Sequence, residues 1–492
     1  MSLLTQLPAE IVHNILIFCD PVDLFVVPKT CRFLYTCIKN NKALHREIYY
    51  RELDAPPTAD LDWVQEIHDL VRLQTICSRH EADRRDELDF VHTTVTRLLR
   101  NASQPGPDEA DRAVRSVTYP ASRNATVLKA LFADDANREA FLCRSFLFDR
   151  VRGGTMAVAD RAGGGDDAGV NEDHQKSAKL HSLYGAPVLK HGRTRASSTY
   201  PFACSKVYDL REYTEESRWG PFLADGSERV DWEKIEAILI VLRANVKSKG
   251  LDTFPIFSNF WNAPFAGSWS GSYLPWPANR ERKHLELRDP YDVSGTWLRV
   301  VCFLDYNDFF KFNFPLGDAL PDNMPRPALS AGEAIRLILI KIHVTEIEQE
   351  EGQQHPIVHF KGFSRSLDGS WDENGNSDLR GMAQMTPEGE LRWTTFSIFG
   401  GEDRWKSEGI QIGGPRSARG VVGNWFDVDY DPHGPCGPTA FWKISDRVPH
   451  GGNDQDAMLH DQEILLHDFL PIVDGYEVEV DDGYLPGHLH LS

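Results

Sequence analysis

The chain has 492 residues and a formal net charge of −20, and ten of those charges lie beyond Pro449, where Lys and Arg are absent. So acidic a surface repels phosphate backbones, which argues against a nucleic-acid partner and leaves a basic protein partner open. A hydrophobic content of 41% with twelve Trp describes a globular chain long enough for two or three domains.

The first fifty residues are the most strongly patterned. Pro8 suits a first helical turn, where its missing N–H costs nothing, and Ile11, Ile15, Leu16 and Phe18 then recur at helical spacing. Asp20-Pro21 reads as a second helix start with Leu24 and Val27 on its apolar side, and Pro28 restarts the chain. Cys31, Leu34, Tyr35 and Ile38 stripe the next helix. A few short helices in fifty residues cannot bury all these faces on one another, so the surplus apolar surface is expected to meet another protein.

The order Leu7-Pro8-x-Glu10-Ile11-x3-Ile15-Leu16-x-Phe18, then Asp23-Leu24, then Thr30-Cys31-Arg32-x-Leu34 and Leu44, closely resembles an F-box. Cys19 stands where a Leu is common in that family, and His45 where many members carry Trp. The resemblance implies docking on a Skp1-type adaptor and, through it, on a cullin–RING ubiquitin ligase. It also implies that Leu7, Pro8, Ile11, Ile15, Leu16, Leu24, Cys31 and Leu34 lie in or next to the adaptor contact. An ordinary N-terminal helical cap folded on the rest of the chain is the alternative.

Residues 55–150 keep helical spacing, interrupted at Ser103 to Asp108, and are expected to form a helical connector behind an F-box at 1–54. Residues 151–178 are rich in Gly, Asp and Ala and predict a flexible loop. Residues 179–263 read as a mixed connector, in which Asp231 caps an amphipathic helix running to about Lys247.

From residue 264 to 449 short apolar or alternating runs are separated by Gly, Pro, Asn and Asp. About ten strands are expected, among them Gly267–Leu274 and Phe309–Phe314, with Asn374-Gly375 and Pro387-Glu388-Gly389 as hairpin turns. The fold class is therefore α+β: an N-terminal helical F-box and helical connector, then a large antiparallel β-barrel or sandwich. Eleven of the twelve Trp lie between Trp219 and Trp442, where such a core needs bulk. Residues 450–492 form an acidic C-terminal segment.

A second pattern runs Arg404-Trp405-x2-Glu408-Gly409-x-Gln411-x-Gly413-Gly414, Arg419-Gly420, then Asn424-Trp425-Phe426-Asp427 and Asp429 to Pro435. With Tyr208-Asp209-Leu210-Arg211, Trp219 to Phe222 and Gly295-Thr296-Trp297, it resembles a group of fungal F-box proteins.

Eight scattered Cys without a CxxC pair read as free thiols in a reducing compartment. No signal peptide is evident, and the longest strongly apolar run, Ala237 to Leu242, is far too short to span a membrane, so a cytoplasmic or nuclear protein is expected. Asp427, Asp429 and Asp431 alternate before His433, but the calcium-loop pattern fails and a turn with capping carboxylates is the better reading. His433 and Cys436 invite a nucleophile reading, although a catalytic pair also needs an oriented base and an oxyanion site. No active site, metal or cofactor is expected. Arg416 and Arg419 in a Gly-rich turn, with Trp425 and His433 nearby, are the candidate substrate-binding residues, offering donors to an acidic or phosphorylated motif.

Together these features predict the substrate-recognition subunit of a Skp1–cullin–F-box ubiquitin ligase, with a protein substrate and no nucleic-acid or membrane partner. A β-barrel enzyme, a small-molecule-binding protein and a Skp1-bound regulator without ubiquitin transfer are the alternatives.

Overall fold

The computed structural model describes residues 6–56, 60–79, 84–102, 122–148, 170–186, 196–254, 256–258, 264–265, 284–315, 317–321, 324, 326–349, 354–367 and 376–445. Helix α1 (Ala9–Leu16) begins directly after Pro8, which sits at the cap with extended backbone. The Asp20-Pro21 start produces no full helix. Asp20 Oδ1 accepts the Val22 amide at 3.0 Å, and two single 3-10 turns, Asp23–Phe25 and Val27–Lys29, follow. Helices α2 (Arg32–Ile38) and α3 (Lys42–Glu52, capped by Asn41) close this small module. Val12, Leu16, Leu24, Leu34, Ile38, Leu44 and Ile48 are its interior. Arg51 donates to the carbonyls of Ile17 and Cys19, which end α1 without a helical partner.

The connector begins with α4 (Trp63–Cys77), whose Trp63 packs edge-on against Tyr49 of α3 at 5.2 Å. Helix α5 (Leu88–Arg100) is tied to α4 by Arg97, which reaches Glu66 at 3.0 Å and Asp69 at 2.5 Å. Helices α6 (Arg123–Leu131) and α7 (Asp135–Leu142) follow, each with a side-chain cap, from Ser122 and Asp134. Helix α8 (Glu172–Tyr184) starts inside the segment expected as a loop, because Asn171 accepts the Asp173 and His174 amides and Gly185, at φ +79°, ends it. The remainder of that expected loop lies outside the described residues. Helix α9 (Ala196–Tyr208) and α8 both pack on α10 (Trp232–Ser248). Capped by Asp231 as expected, α10 is buried on nearly every side and lies against the sheet. A short helix, α11 (His284–Arg288), precedes the first strand.

The sheet is a closed eight-stranded antiparallel barrel in which each strand pairs with its sequence neighbour and β8 returns to β1. The strands are β1 (Gly295–Leu304), β2 (Glu333–Glu348), β3 (Ile357–Ser366), β4 (Asn376–Met385), β5 (Leu391–Phe399), β6 (Glu402–Gln411), β7 (Val421–Asp427) and β8 (Cys436–Ser445). Closure leaves no sheet edge. It requires close strand approach at glycines: a Cβ on Gly362 would lie 1.9 Å from the Lys341 carbonyl oxygen, and one on Gly423 2.0 Å from that of Glu408. Pro387-Glu388-Gly389 makes the β4–β5 turn, with Gly389 at φ +77°.

Two strand expectations end differently. Phe309–Phe314 is mostly helix, α12 (Tyr306–Asn313), because Asp305 caps the Asn307 and Asp308 amides while Phe309 and Phe312 bury one helical face. Gly267–Leu274 and the Asn374-Gly375 turn lie outside the described residues. The barrel's apolar layer is built from Trp297, Ile340, Phe360, Trp393 and Phe441, with the Trp393 indole donating to Gln411 at 3.1 Å. Helices and barrel form one compact unit, Met1–Val448; Pro449–Ser492 is a second and lies outside the described residues.

Candidate adaptor face and candidate substrate site

The N-terminal module turns part of its apolar surface outward. Ile11 is 46% exposed, Ile15 43% and Phe18 80%, and Val22, Val26 and Tyr35 are exposed beside them in sequence. Ile11, Ile15 and Phe18 recur three or four residues apart, so they share one face of α1 and its C-terminal extension. Leaving three large apolar side chains in water is costly for a free module and favourable once a partner covers them. Residues 4–46 match the F-box domain family model.

The chain carries an F-box.

No curated protein and no solved structure matches the chain. Within the F-box the eight expected contact residues divide in two. Pro8, Ile11 and Ile15 are exposed and Leu7 and Cys31 half-buried, whereas Leu16, Leu24 and Leu34 are buried beneath the face and hold it in place. Phe18, Val22, Val26 and Tyr35 were not among the expected contact residues, although Phe18 stands in the motif itself. Val22 and Val26 flank the two short turns that replace a helix after Asp20, which spacing alone does not reveal.

The residues expected at the substrate site are not brought together. Strand β7 runs seven residues, about 20 Å, between the two turns that carry them. Arg416 and Arg419 belong to the β6–β7 turn, at the barrel end that faces α5 and α8. Arg419 is buried and donates to the Tyr184 carbonyl at the end of α8, and burial lowers its guanidinium pKa to about 10. It therefore cannot present a fork to a substrate. Arg416 is exposed at φ +60°, with its guanidinium on the carbonyls of Pro290 and Asp289 at 3.2 and 3.3 Å. At the same end Glu390 binds Arg100 of α5 and Lys179 of α8, each at 2.9 Å. Helices α5 and α8 thus meet the barrel at this end, while Tyr208 and Asn245 reach Glu333, and Trp219 accepts from Asn424, toward the other.

His433 lies at the opposite end, in the β7–β8 turn, exposed and tilted against Phe314 at 4.7 Å. Beside it opens a cleft of about 360 Å³ whose walls include Trp219, Phe314, Phe426 and Tyr430. Trp219 and Tyr430 are 4.1 Å apart, centroid to centroid, and both hold positive φ. Asp209 borders the cleft, with Arg326 at 2.6 Å and Arg211 at 2.8 Å. Burial pushes its carboxyl pKa up, but these two guanidinium groups outweigh it and hold the pKa below the usual range. Sequence reading placed Asp209, Arg211 and Trp219 in a pattern without giving them a site, since they stand some two hundred residues from His433.

The carboxylates of this turn cap backbone: Asp427 accepts the Asp429 amide at 3.2 Å and Asp431 the His433 amide at 2.9 Å. Among the described residues no group of three or more His, Cys, Asp or Glu could hold a metal ion. Cys436 is buried, and burial raises its thiol to about 12, the wrong direction for a nucleophile. Trp425 points into the barrel, donates to the Cys302 carbonyl at 3.0 Å and meets Trp405 edge-on at 5.2 Å. The other motif residues are architectural. Glu408, fully buried, takes Arg392 at 2.8 and 3.0 Å and Thr394 at 2.9 Å, and Asn424 donates to the Trp219 carbonyl at 2.6 Å. Among the described residues no helix is long and apolar enough to cross a membrane.

Proposed function

We propose that the chain is the substrate-recognition subunit of a Skp1–cullin–F-box ubiquitin ligase. The observation that carries this is the exposed row Ile11, Ile15 and Phe18 on an F-box whose own interior is complete without it. In this reading Leu7, Pro8, Ile11, Ile15 and Cys31 touch a Skp1-type adaptor, and Phe18, Val22, Val26 and Tyr35 extend the contact. A protein substrate is taken at the barrel end that carries His433, the end away from α5 and α8. Loops held on a rigid barrel suit that task. In this reading the receptor is non-catalytic, and E2 and RING partners supply the ubiquitin chemistry in trans.

The test is co-purification of a Skp1-type adaptor and a cullin with the full chain, against a variant carrying Ile11→Ala, Ile15→Ala and Phe18→Ala. Recovery of both with the parent and of neither with the triple variant is expected. Undiminished adaptor recovery by the variant overturns the adaptor face. Adaptor without cullin points to a regulator that transfers no ubiquitin.

A further inference from the structure

The barrel's apolar cluster fills its interior at the end that faces α5 and α8. Alternation along the strands places Trp297, Arg299, Val301 and Phe303 on one face of β1, and β2 matches them with Ile340, Ile338, Arg336 and Ala334. Trp297 and Ile340 belong to the apolar layer, and Arg299 stands one step nearer the end that carries His433. Its side chain is 6% exposed and held by hydroxyls alone: Nε donates to Thr439 Oγ1 at 2.9 Å and Nη2 to Ser407 Oγ at 3.2 Å. Thr395 bonds Ser407, and Ser364 bonds Ser377 at 2.7 Å, so hydroxyls continue around the wall.

Among the described residues no carboxylate pairs with Arg299, and burial is the sole influence on its guanidinium, lowering it to about 10. Arg84, also buried, rests on the Ile76 and Ala136 carbonyls and Asn137 Oδ1, so what marks Arg299 is its hydroxyl shell inside the barrel. Several other guanidinium groups carry a carboxylate. Arg392 has Glu408, Arg97 has Glu66 and Asp69, and Arg326 has Asp209 and Glu212. A buried cation with no anion is costly, and a protein retains one where something brings the anion. Toward the mouth the next inward side chains on β6 and β7 are Trp405, half-buried, and Trp425, and Arg336 lies over Phe303 nearer the rim.

We propose that the mouth of the barrel is a ligand cup in which Arg299 binds the carboxylate of a molecule whose apolar part rests on Trp405 and Trp425. One deep cation among hydroxyls matches the single charge and planar fork of a carboxylate better than a phosphate dianion. The carboxylate belongs either to a free small acid or to an acidic side chain of a protein substrate. The second source rests on the reading that this end of the barrel is the recognition end.

The experiment titrates the full chain, without adaptor, with sodium benzoate and with benzamide, its neutral counterpart, by ligand-observed NMR. Benzoate is expected to bind saturably and about tenfold or more tighter than benzamide, the preference a charge-assisted fork gives. Arg299→Met should abolish that preference without lowering the melting temperature, since it removes an uncompensated charge at similar volume. Equal binding of the two probes by the parent overturns the proposal, and so does a benzoate preference that survives Arg299→Met. Should that variant fail to fold, Trp405→Ala at the half-exposed rim replaces it: weaker benzoate binding supports the cup and unchanged binding overturns it. A blocked tripeptide with central glutamate, against its glutamine form, separates the sources. Glutamate preference lost in the same variant assigns the cup to a protein substrate, and benzoate preference alone assigns it to a small acid. Adaptor recovery is measured separately, so failure of the cup leaves the ligase reading standing or falling by its own test.

Discussion

The F-box and the barrel use the same kinds of apolar side chain and treat them in opposite ways. In the barrel Trp297, Trp393, Phe360 and Phe441 face one another across a closed wall, and every strand has two neighbours. In the F-box three short helices and two turns enclose Leu16, Leu24 and Leu34 but have no room inside for Ile11, Ile15 and Phe18. A long closed sheet can satisfy its own interior, whereas a module of fifty residues has too little volume for its surface. Apolar content in the first region is fold, and in the second it is partly interface.

Substitutions can break that contrast. The largest effect is expected at Trp393, 1% exposed and packed on Trp297, Phe360 and Phe441: Trp393→Ala should cost about 3–5 kcal/mol, read as a large fall in the thermal unfolding midpoint. Within the F-box, Leu16→Ala should cost about 2–4 kcal/mol of stability because Leu16 is interior. Ile15→Ala, one residue away and exposed, should change stability by about 0.5 kcal/mol or less. Its cost should appear in adaptor affinity instead, at roughly 2 kcal/mol. Equal loss of stability in both variants would show that the exposed face is folded against something within the chain.

Between the two regions the connector carries an acid-sensitive point. Burial, with Lys179 and Lys176 next in weight, lowers His92 to about 4 from an ordinary 6.5. Above pH 6.5 the ring is neutral whether the chain is folded or not. Below it the unfolded chain takes up a proton that the folded one refuses, so stability falls as pH drops from 6.5 to 4 and levels off beneath. A gap of that size is worth roughly 3 kcal/mol, and the partial exposure of His92 reduces it to about 2. Denaturant unfolding at pH 7 and pH 4.5 should show this loss in the parent and a smaller one in His92→Gln.

The smallest effect is expected at Arg416, where Arg416→Ala removes two long bonds from an exposed side chain and should shift stability by about 0.5 kcal/mol or less. Arg419→Ala, three residues on, strips the Tyr184 carbonyl of a buried donor and should cost about 1–3 kcal/mol. Similar melting curves for the two would contradict their different burial.

Local chemistry made much of this legible in the sequence. Alternation and turn residues pointed to the antiparallel sheet, Asp231 marked the start of α10, and the ordered Leu, Pro and Ile positions marked the F-box, because each depends on near neighbours alone. The same near-neighbour logic misplaced Phe309–Phe314, where the Asp305 cap and the burial of Phe309 and Phe312 selected helix over strand. It also grouped Arg416, Arg419 and His433, since proximity in sequence says nothing about which end of a strand a turn occupies. Only the closed barrel decided that, sending His433 to one end and burying Arg419 against α8 at the other. It likewise set Arg299 opposite Ser407 and Thr439, residues more than a hundred positions away, which pack together because a sheet closed on itself has one interior.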